Sequence, residues 1–317
     1  MPLLLKDSEV DRLITMDDAL ASVEEMFREL GQGRVSVFPR TKLRSPSGSL
    51  FVLGAANLYQ GVMGAKCYTV MGHNYTFYVL LFDANDGNLL LIVRADRLGA
   101  LRTGASTGVA AKHLARQGAE VVGVLGAGNQ ARTQLEAVCK VRPIRQAKVY
   151  APTEEHRVRY AKEMGASLGI EARAVGSPRQ AVEGSQIVLC MTNSSQPVFD
   201  GRWLGPGTLV TTAGNTRWWA QEVDETTVQR SDVVVADCLA QAQYEAGELT
   251  AAVERGVLRW GQVRELGHVV AGRAQGRTSE EQVVLYKAVG FGPLDVATAK
   301  LAYDRAREKG MGTQVEM

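Results

Sequence analysis

The stretch from Glu120 to Ala131 constrains the fold more than any other part of the chain. It begins with an apolar run rich in β-branched residues, which is typical of a strand buried on both faces of a parallel sheet. Gly126-Ala127-Gly128 then predicts a turn, and the residues from Gln130 to Val138 predict a helix. The pattern G-x-G-x-x-A, placed between a strand and a helix, indicates a dinucleotide-binding turn.

Each small residue of this pattern has its own physical role. Gly126 permits the tight turn, Gly128 lets the backbone approach a pyrophosphate, and Ala131 lets the helix pack on the strand. The phosphates would bind free N–H groups at the helix N-terminus, where the helix dipole favours negative charge. The alternative is a purely structural turn, because tight turns use glycine anyway. The strand before the pattern and the helix after it favour a binding role.

Composition excludes several classes of protein. The chain has 317 residues, which suffices for two domains, and 45% of them are hydrophobic. Its net charge of +2 gives no argument for nucleic acid or an anionic membrane as a partner. No apolar run is long enough for a signal peptide or a membrane span. The four cysteines lack C-x-x-C spacing, and no metal-ligand cluster is evident. We expect a cytoplasmic protein with free thiols and no metal.

The chain divides into two regions that differ in their pattern of predicted strands and helices. In the first, Thr15 and Asp18 form a capping-box pattern at the start of a helix that ends near Gly31. Strand candidates with no room for helices between them then predict a largely antiparallel sheet: 51–55, 62–70, 77–82 and 89–93. A helix of very small residues is predicted over 98–115, and small side chains permit close packing on a neighbour or a ligand.

The second region alternates strands and helices. Strands are predicted at 121–125, 148–150, 171–175, 187–191, 209–213 and 233–236, which indicates a doubly wound parallel sheet. A final helix over 293–309 is expected to pack back onto the first region. The predicted fold is therefore α/β, with a Rossmann domain (116–291) inserted into a largely antiparallel α+β domain (1–115 plus 292–317). The role of this second domain in substrate binding and dimerisation is implied only by the family resemblance given next.

Short sequence pieces, in order along nearly the whole chain, carry a family resemblance. The chain resembles the ornithine cyclodeaminase and μ-crystallin family of nicotinamide-dependent enzymes. The resemblance implies a homodimer joined through the antiparallel-sheet domain, and chemistry on a small α-amino or α-imino acid. The matching pieces are Phe38-Pro39-Arg40, Gly64-Ala65-Lys66, Leu81-Phe82-Asp83 with Asp86-Gly87, Ala100 to Ala105, Gly126 to Ala131, Glu245 to Leu249, Gly272 with Gly276-Arg277, and Leu285 to Gly290.

The resemblance also implies a substrate site. Arg40 and Arg102 match the family's carboxylate-binding arginines, and a guanidinium meets a carboxylate with two parallel bonds. Lys66 matches the active-site lysine, and Val289 falls beside the substrate. Lys66 lies within an apolar strand pattern, where an isolated lysine is costly unless it is paired or functional. The alternative is that Lys66 faces outward from its strand.

Three further polar residues near these positions have open roles. Asp83 either pairs with one of the cations or caps the turn that follows it. His73, in a polar loop, and His113, on a helix face, are the weaker acid–base candidates.

The resemblance assigns cofactor contacts to the Gly126 and Gly128 turn with Asn129 and Gln130, and further contacts to Arg102, Thr192, Ala213 and Asn215. Cofactor choice depends on the end of the second Rossmann strand, where an acidic residue would bind the ribose of NAD. That position, near Ala151, is not acidic. Thr153, His156 and Arg157 could bind a 2′-phosphate, although Glu154 and Glu155 oppose this. The cofactor is NADP or NAD, with a modest preference for NADPH.

One departure from the family bears on the reaction. Cyclodeaminases carry a proton-handling aspartate in the loop at 212–217, and the matching position here is Asn215. An amide can orient a ligand but cannot shuttle a proton near neutral pH. We therefore predict NAD(P)H-dependent reduction of an α-imino acid, such as 1-pyrroline-2-carboxylate, or the reverse dehydrogenation, with Lys66, Arg102 and Asn215 as catalytic residues. The alternatives are an ornithine cyclodeaminase and a non-catalytic ligand-storage protein.

Overall fold

The computed structural model describes residues 1–316, which divide into two compact units. The first unit comprises Met1–Ala105 and the chain from Phe291 onward, and the second comprises Ser106–Gly290. The sequence suggested limits at 115/116 and 291/292. In the structure the first division lies inside the helix of small residues, because the second half of that helix packs within the second unit.

The first unit is built on one mixed sheet with helices. Its strand order is β15-β1-β6-β5-β4-β3-β2, and all neighbours are antiparallel except β1 and β6. The strands are β1 (Leu3–Leu5), β2 (Val35–Ser45), β3 (Gly48–Asn57), β4 (Val62–Met71), β5 (Asn74–Asp83), β6 (Leu89–Arg94) and β15 (Thr313–Gln314). The helices are α1 (Asp7–Leu13), α2 (Met16–Gly31) and α11 (Gly292–Lys309), and α3 (Asp96–Leu114) begins in this unit.

Helix α2 begins as its sequence predicts. The N–H of Asp18 donates to Thr15 Oγ1 (3.2 Å), and the N–H of Thr15 donates to Asp18 Oδ2 (3.0 Å). This reciprocal pair satisfies two of the N–H groups that a helix start leaves without partners. Val23 and Phe27 are fully buried on the inner face of the helix.

The two faces of the sheet differ in their surroundings. On one face, Leu53, Val79 and Leu91 are at most 1% exposed beneath α11. The period-2 alternation of strand side chains places the next residues on the other face. Large apolar side chains there are more than a third exposed: Phe38, Leu43, Leu50, Met63 and Tyr78. The predicted largely antiparallel sheet is confirmed, with one uncovered apolar face.

The second unit is a doubly wound parallel sheet, as predicted. Its strand order is β13-β12-β14-β11-β10-β7-β8-β9, and every neighbouring pair is parallel. The strands are β7 (Val121–Leu125), β8 (Gln146–Tyr150), β9 (Glu171–Ala174), β10 (Ile187–Cys190), β11 (Leu209–Thr212), β12 (Val233–Ala236), β13 (Val263–Glu265) and β14 (Val284–Lys287). The helices are α4 (Asn129–Val141), α5 (Glu154–Leu168), α6 (Pro178–Val182), α7 (Glu225–Gln229), α8 (Leu239–Glu245), α9 (Gly247–Glu254) and α10 (Leu266–Val270).

The sequence prediction missed β13 and β14. Strand β14 lies between β11 and β12, so the predicted sheet lacked an interior strand. Its last residue, Lys287, is fully buried, and this charge interrupts the apolar pattern by which a buried strand is recognised. Strands β8 and β9 extend the sheet to one side of β7, and β10 and β11 extend it to the other side. The strand order therefore reverses between β7 and β10, which is the switch point where ligands bind in such sheets. Within residues 1–316, no helix combines the length and apolar character required to cross a membrane.

Candidate functional site

A cavity of about 570 Å³ opens at the switch point of the second unit. Its walls come from the segments that follow four neighbouring strands. They are Gly126 to Gln130 after β7, Tyr150 to Pro152 at the end of β8, Met191 to Ser194 after β10, and Ala213 with Gly214 after β11, together with Leu125 and Val198. The structure thus brings Gly126, Gly128, Asn129, Gln130, Thr192 and Ala213 around one cavity.

The glycine turn of this cavity is shaped for a phosphate. Gly126 has φ +106°, and a Cβ there would lie 2.4 Å from the carbonyl oxygen of Met191, so no other residue fits. Gly128 is the N-cap of α4, and a Cβ there would meet no described atom within 4 Å. Ala131 is fully buried against the sheet. The open space at Gly128 and the N–H groups that the first turn of any helix leaves without intrahelical partners fit a pyrophosphate.

Glu222 links the loop after β10 to the loop after β11, and both loops line this cavity. Its Oε1 accepts hydrogen bonds from the N–H (2.7 Å) and Oγ1 (2.9 Å) of Thr192, and its Oε2 accepts from the N–H of Gly214 (2.8 Å). The side chain is fully buried. Burial raises the pKa of Glu222 to about 7; Lys287 opposes this shift and Glu248 adds to it.

Asn215 binds within the same loops. Its Nδ2 donates to the carbonyl oxygen of Ser194 (2.6 Å), and its Oδ1 accepts from Arg217 Nε (2.9 Å). Its own carbonyl oxygen accepts from Lys287 Nζ (2.8 Å). Asn215 is 3% exposed. The amide nitrogen therefore links the loop after β11 to the loop after β10, while the amide oxygen bonds within its own loop.

The end of β8 carries the residues considered for a 2′-phosphate. Arg157 Nη1 donates to the carbonyl oxygens of Ala151 (3.0 Å) and Pro152 (3.3 Å), and its Nη2 lies 3.5 Å from Glu154. Thr153 is the N-cap of α5 but makes no capping bond with its side chain. In the described part of the chain, neither Thr153 nor Arg157 lines the cavity.

The first unit holds a cluster of buried charges. Lys66 Nζ and Arg102 Nε both donate to Asp295 Oδ1 at 3.0 Å. Lys66 is 4% exposed and Asp295 fully buried, so the expected inward orientation of Lys66 is observed. Burial lowers the pKa of Lys66 to about 8; Asp295 opposes this shift, while Arg102 and Arg40 add to it.

Local structure explains how these cations meet. The pairing of β2 with β3 shifts register between Phe38 and Thr41, and Arg40 lies in this bulge, which can re-aim a side chain. A Cβ at Gly99 would lie 3.2 Å from Lys66 Nζ, so the small residue on α3 makes room for the lysine. The centroid of the Phe77 ring lies 4.9 Å from Lys66 Nζ. Burial raises the pKa of Asp295, but Arg102 and Lys66 outweigh it and the net shift is downward.

Other candidate residues lie outside both the lining of the cavity and the cluster of buried charges. The side chain of Val289 packs in the core of the second unit, and its N–H donates to Asp237 Oδ1 (3.0 Å). Asp83 caps its turn by accepting from the N–H of Asn85 (2.8 Å), which decides between the two interpretations of that residue. His73 is exposed in the turn between β4 and β5.

Sequence reasoning missed Asp295 and Glu222. Each is an acidic side chain that becomes fully buried, and each binds residues that the sequence had singled out. The signal for Asp295 was an aspartate among small and apolar residues at the start of the last helix. That signal is weak, because acidic residues are also favoured in the first turn of any helix.

The fold and the cavity define a protein whose second unit is a dinucleotide-binding Rossmann unit and whose first unit carries buried cations. The chain belongs to the ornithine cyclodeaminase/mu-crystallin family, whose profile matches residues 1–310. The predicted family and α/β fold are confirmed.

Three solved structures are similar to the whole chain. Δ1-pyrroline-2-carboxylate reductase from Thermococcus litoralis, in complex with NADH and L-proline, is 36% identical with TM-score 0.95, covering 99% of this chain and 100% of the other. An archaeal alanine dehydrogenase dimer with bound NAD is 31% identical with TM-score 0.94, covering 100% and 99%. Iminosuccinate reductase from Paracoccus denitrificans, in complex with NAD⁺, is 27% identical with TM-score 0.94, covering 100% and 99%.

Proposed function

We propose that this protein is an NAD(P)-dependent oxidoreductase that reduces the C=N bond of an α-imino acid to the L-amino acid, or catalyses the reverse. Family membership supports the class of enzyme. The three relatives act on, or are bound to, compounds with a nitrogen on the carbon next to a carboxylate, together with NADH or NAD. The similarity extends over at least 99% of this chain in each case.

The observation that carries the proposal is the buried cation cluster of the first unit. Two cations, Lys66 and Arg102, share one carboxylate oxygen of Asp295, and Arg40 adds positive charge. Among the described residues Asp295 engages only the Nε–H of Arg102, so the two terminal nitrogens can bind a carboxylate in the fork geometry. Buried positive charge that exceeds its counter-charge favours an anionic ligand. We assign the substrate carboxylate to Lys66, Arg102 and Arg40, and Val289 stays a predicted neighbour of the substrate.

The second unit provides the cofactor site. The phosphates are assigned to the Gly126–Gly128 turn and the start of α4, with Asn129 and Gln130 in its first turn. Thr192, Ala213 and Asn215 hold or form the walls near the ends of β10 and β11. Arg102 is kept as a predicted additional cofactor contact. When bound, the nicotinamide supplies the hydride.

The chain itself then has to bind and orient the substrate. Lys66 and Arg102 fix the carboxylate, and this leaves the adjacent imine carbon few orientations, so that much of the catalysis comes from positioning. The imine nitrogen enters protonated, and the neutral amine formed by hydride addition takes a proton from solvent. The protein therefore needs no general acid at this nitrogen. An asparagine at position 215, whose amide holds two loops together, is consistent with this reaction.

The finer proposal for the cofactor is a preference for NADPH. Its support is Ala151 at the end of β8, where an acidic side chain would select NAD, together with the hydroxyl of Thr153 next to it. Arg157 already binds backbone carbonyls and Glu154, which limits its contribution. The ratio of kcat/KM for the two cofactors tests this. A kcat/KM for NADH that exceeds the value for NADPH by more than about tenfold, or 1.4 kcal/mol, would refute this preference.

We further propose a homodimer joined through the uncovered sheet face. An apolar groove of about 690 Å³ on this face is lined by Phe38, Val52, Met63 and Phe82 among others. Large exposed apolar patches commonly mark protein interfaces. One of the similar structures is a dimer. A second copy of this chain is the proposed occupant, and light scattering measures the mass in solution.

A pair of substrates tests the role of the carboxylate. 1-Pyrroline-2-carboxylate and 1-pyrroline share the C=N bond, but only the first can bind the cation cluster. We expect kcat/KM, followed by NAD(P)H absorbance, to be at least about 100-fold higher for the carboxylate, since two charge-assisted bonds are each worth about 1.5–3 kcal/mol. In the Arg102→Lys variant this ratio should shrink. Equal turnover of the two imines would contradict the proposed site.

A further inference from the structure

We propose that Glu222 is a positioning residue whose negative charge holds the loops after β10 and β11 in the conformation that binds the cofactor, so that cofactor binding releases a proton from the protein. This inference rests on the cofactor site proposed above. Glu222 belongs neither to the glycine turn nor to the substrate cluster. Its side chain bonds residues that line the cavity, but Glu222 does not itself line the cavity.

Glu222 is bonded to three residues of the cavity wall. Its carboxylate binds Thr192 and Gly214, and its backbone carbonyl accepts from the N–H of Val198 (3.0 Å). The two loops are packed so closely that a Cβ at Gly214 would lie 2.1 Å from the carbonyl oxygen of Thr192. A displacement of the Glu222 carboxylate therefore has to move the wall of the cavity at both loops.

The titratable groups that face Glu222 come from three elements, and the Cys190 thiol among them is neutral because burial raises its pKa. Lys287 of β14 donates to Glu248 Oε1 of α9 at 3.0 Å, and Cys190 of β10 lies within electrostatic range. Glu248 Oε2 has no hydrogen-bond partner among residues 1–316. Lys287 is thus bonded to Glu248, and it acts on Glu222 only through electrostatic attraction without a direct bond. This arrangement disfavours keeping both carboxylates ionised, and burial already raises the pKa of Glu222 to about 7.

The direction of the pH effect follows from the hydrogen bonds. Both oxygens of the ionised carboxylate accept from N–H groups, whereas a protonated carboxyl loses acceptor capacity at the oxygen that carries the proton. Protonation therefore weakens the clamp on Thr192 or Gly214. Since the ionised form predominates above about pH 7, cofactor affinity should fall as the pH falls through this value.

Calorimetric titration of the full chain with NADH tests the inference without turnover. NADH is the probe because the 2′-phosphate of NADPH would itself titrate near pH 6. We expect Kd to rise about tenfold between pH 8 and pH 6, as for the loss of one charge-assisted hydrogen bond. At pH 7, repeating the titration in buffers of different ionisation enthalpy should show net proton release on binding.

Two variants separate charge from shape. In Glu222→Gln the amide nitrogen cannot accept from Gly214, so Kd at pH 8 should match that of the wild type at pH 6 and stay constant with pH. Glu254→Gln, at an exposed carboxylate at the end of α9, is the matched control and should keep the wild-type profile.

The possible outcomes are distinct. Binding of NADH by the wild type with a constant Kd and no proton release would overturn the role of Glu222 alone, whether or not the glutamine variant folds. Absence of binding of both NADH and NADPH at every pH would overturn the cofactor site itself, and with it this inference. If only NADPH binds, the same titrations are made with NADPH, and the difference between the wild type and Glu222→Gln, in which the contribution of the 2′-phosphate cancels, decides.

Discussion

Gly128 offers the sharpest separation of binding from folding in this protein. Its φ of −87° and ψ of −177° suit any residue, and a Cβ there points into space that no described atom occupies within 4 Å. Gly128→Val should therefore fold. Valine is a poorer N-cap than glycine, which costs helix α4 about 1 kcal/mol. The same side chain fills the space where a pyrophosphate would approach the backbone.

The expected loss of binding follows from the contacts excluded. Each charge-assisted bond from a backbone N–H to phosphate is worth about 1.5–3 kcal/mol. Losing one of them lowers affinity for NADH by about 10- to 150-fold. Fluorescence titration measures the dissociation constant, and thermal unfolding measures stability on the same samples.

Gly126→Ala is the contrasting variant. With φ at +106° and the carbonyl oxygen of Met191 2.4 Å from the new Cβ, the backbone has to move. Its cost should appear in stability, at about 1–3 kcal/mol. A Gly128→Val protein that binds NADH within twofold of the wild type would refute the assignment of the phosphates to this turn.

Three further predictions concern the first unit. Arg102→Lys keeps the charge but loses the fork, so kcat/KM should fall by an amount that corresponds to about 2–4 kcal/mol of transition-state stabilisation, with cofactor affinity little changed because the retained charge can still attract the cofactor; activity close to wild type would exclude Arg102 from the site. Lys66 has a pKa of about 8 and is mainly cationic only below that pH, so KM for the imino acid should rise above pH 8. In Asp295→Asn the loss of the carboxylate should lower the pH at which KM begins to rise; an unchanged pH dependence would show that Asp295 does not set the pKa of Lys66. Met63→Glu, on the uncovered sheet face, should give a monomer by light scattering, and a persistent dimer would place the interface elsewhere.

Features set by neighbouring residues were accessible from sequence. The strand, the glycine turn and the helix around Gly126 are contiguous, and the capping box of Thr15 and Asp18 spans four positions. The strand candidates for β3 to β6 follow one another with no room for helices between them, and this predicted the antiparallel sheet because parallel neighbours need longer crossover connections. These signals are local, so the structure of one segment does not depend on a distant partner.

Features set by distant residues were not accessible. Asp295 meets Lys66 across 229 positions of sequence, and nothing in the final helix indicates which strand it covers. The place of β14 between β11 and β12 depends on the order of strands in space. The burial of Glu222 depends on loops that follow two other strands. For Asp83, two physical interpretations were equal in sequence, and only its observed bond to Asn85 decided between them.

The reaction itself is tested most directly by its stoichiometry. With 1-pyrroline-2-carboxylate and NAD(P)H, the proposed reduction consumes one NAD(P)H for each proline formed, measured by absorbance and amino-acid analysis in one sample. A cyclodeaminase given ornithine would instead release ammonia at constant NADH. One-to-one consumption with the imine, and no ammonia from ornithine, is the predicted result. Steady ammonia release from ornithine, without imine-dependent oxidation of NAD(P)H, would contradict the proposed function.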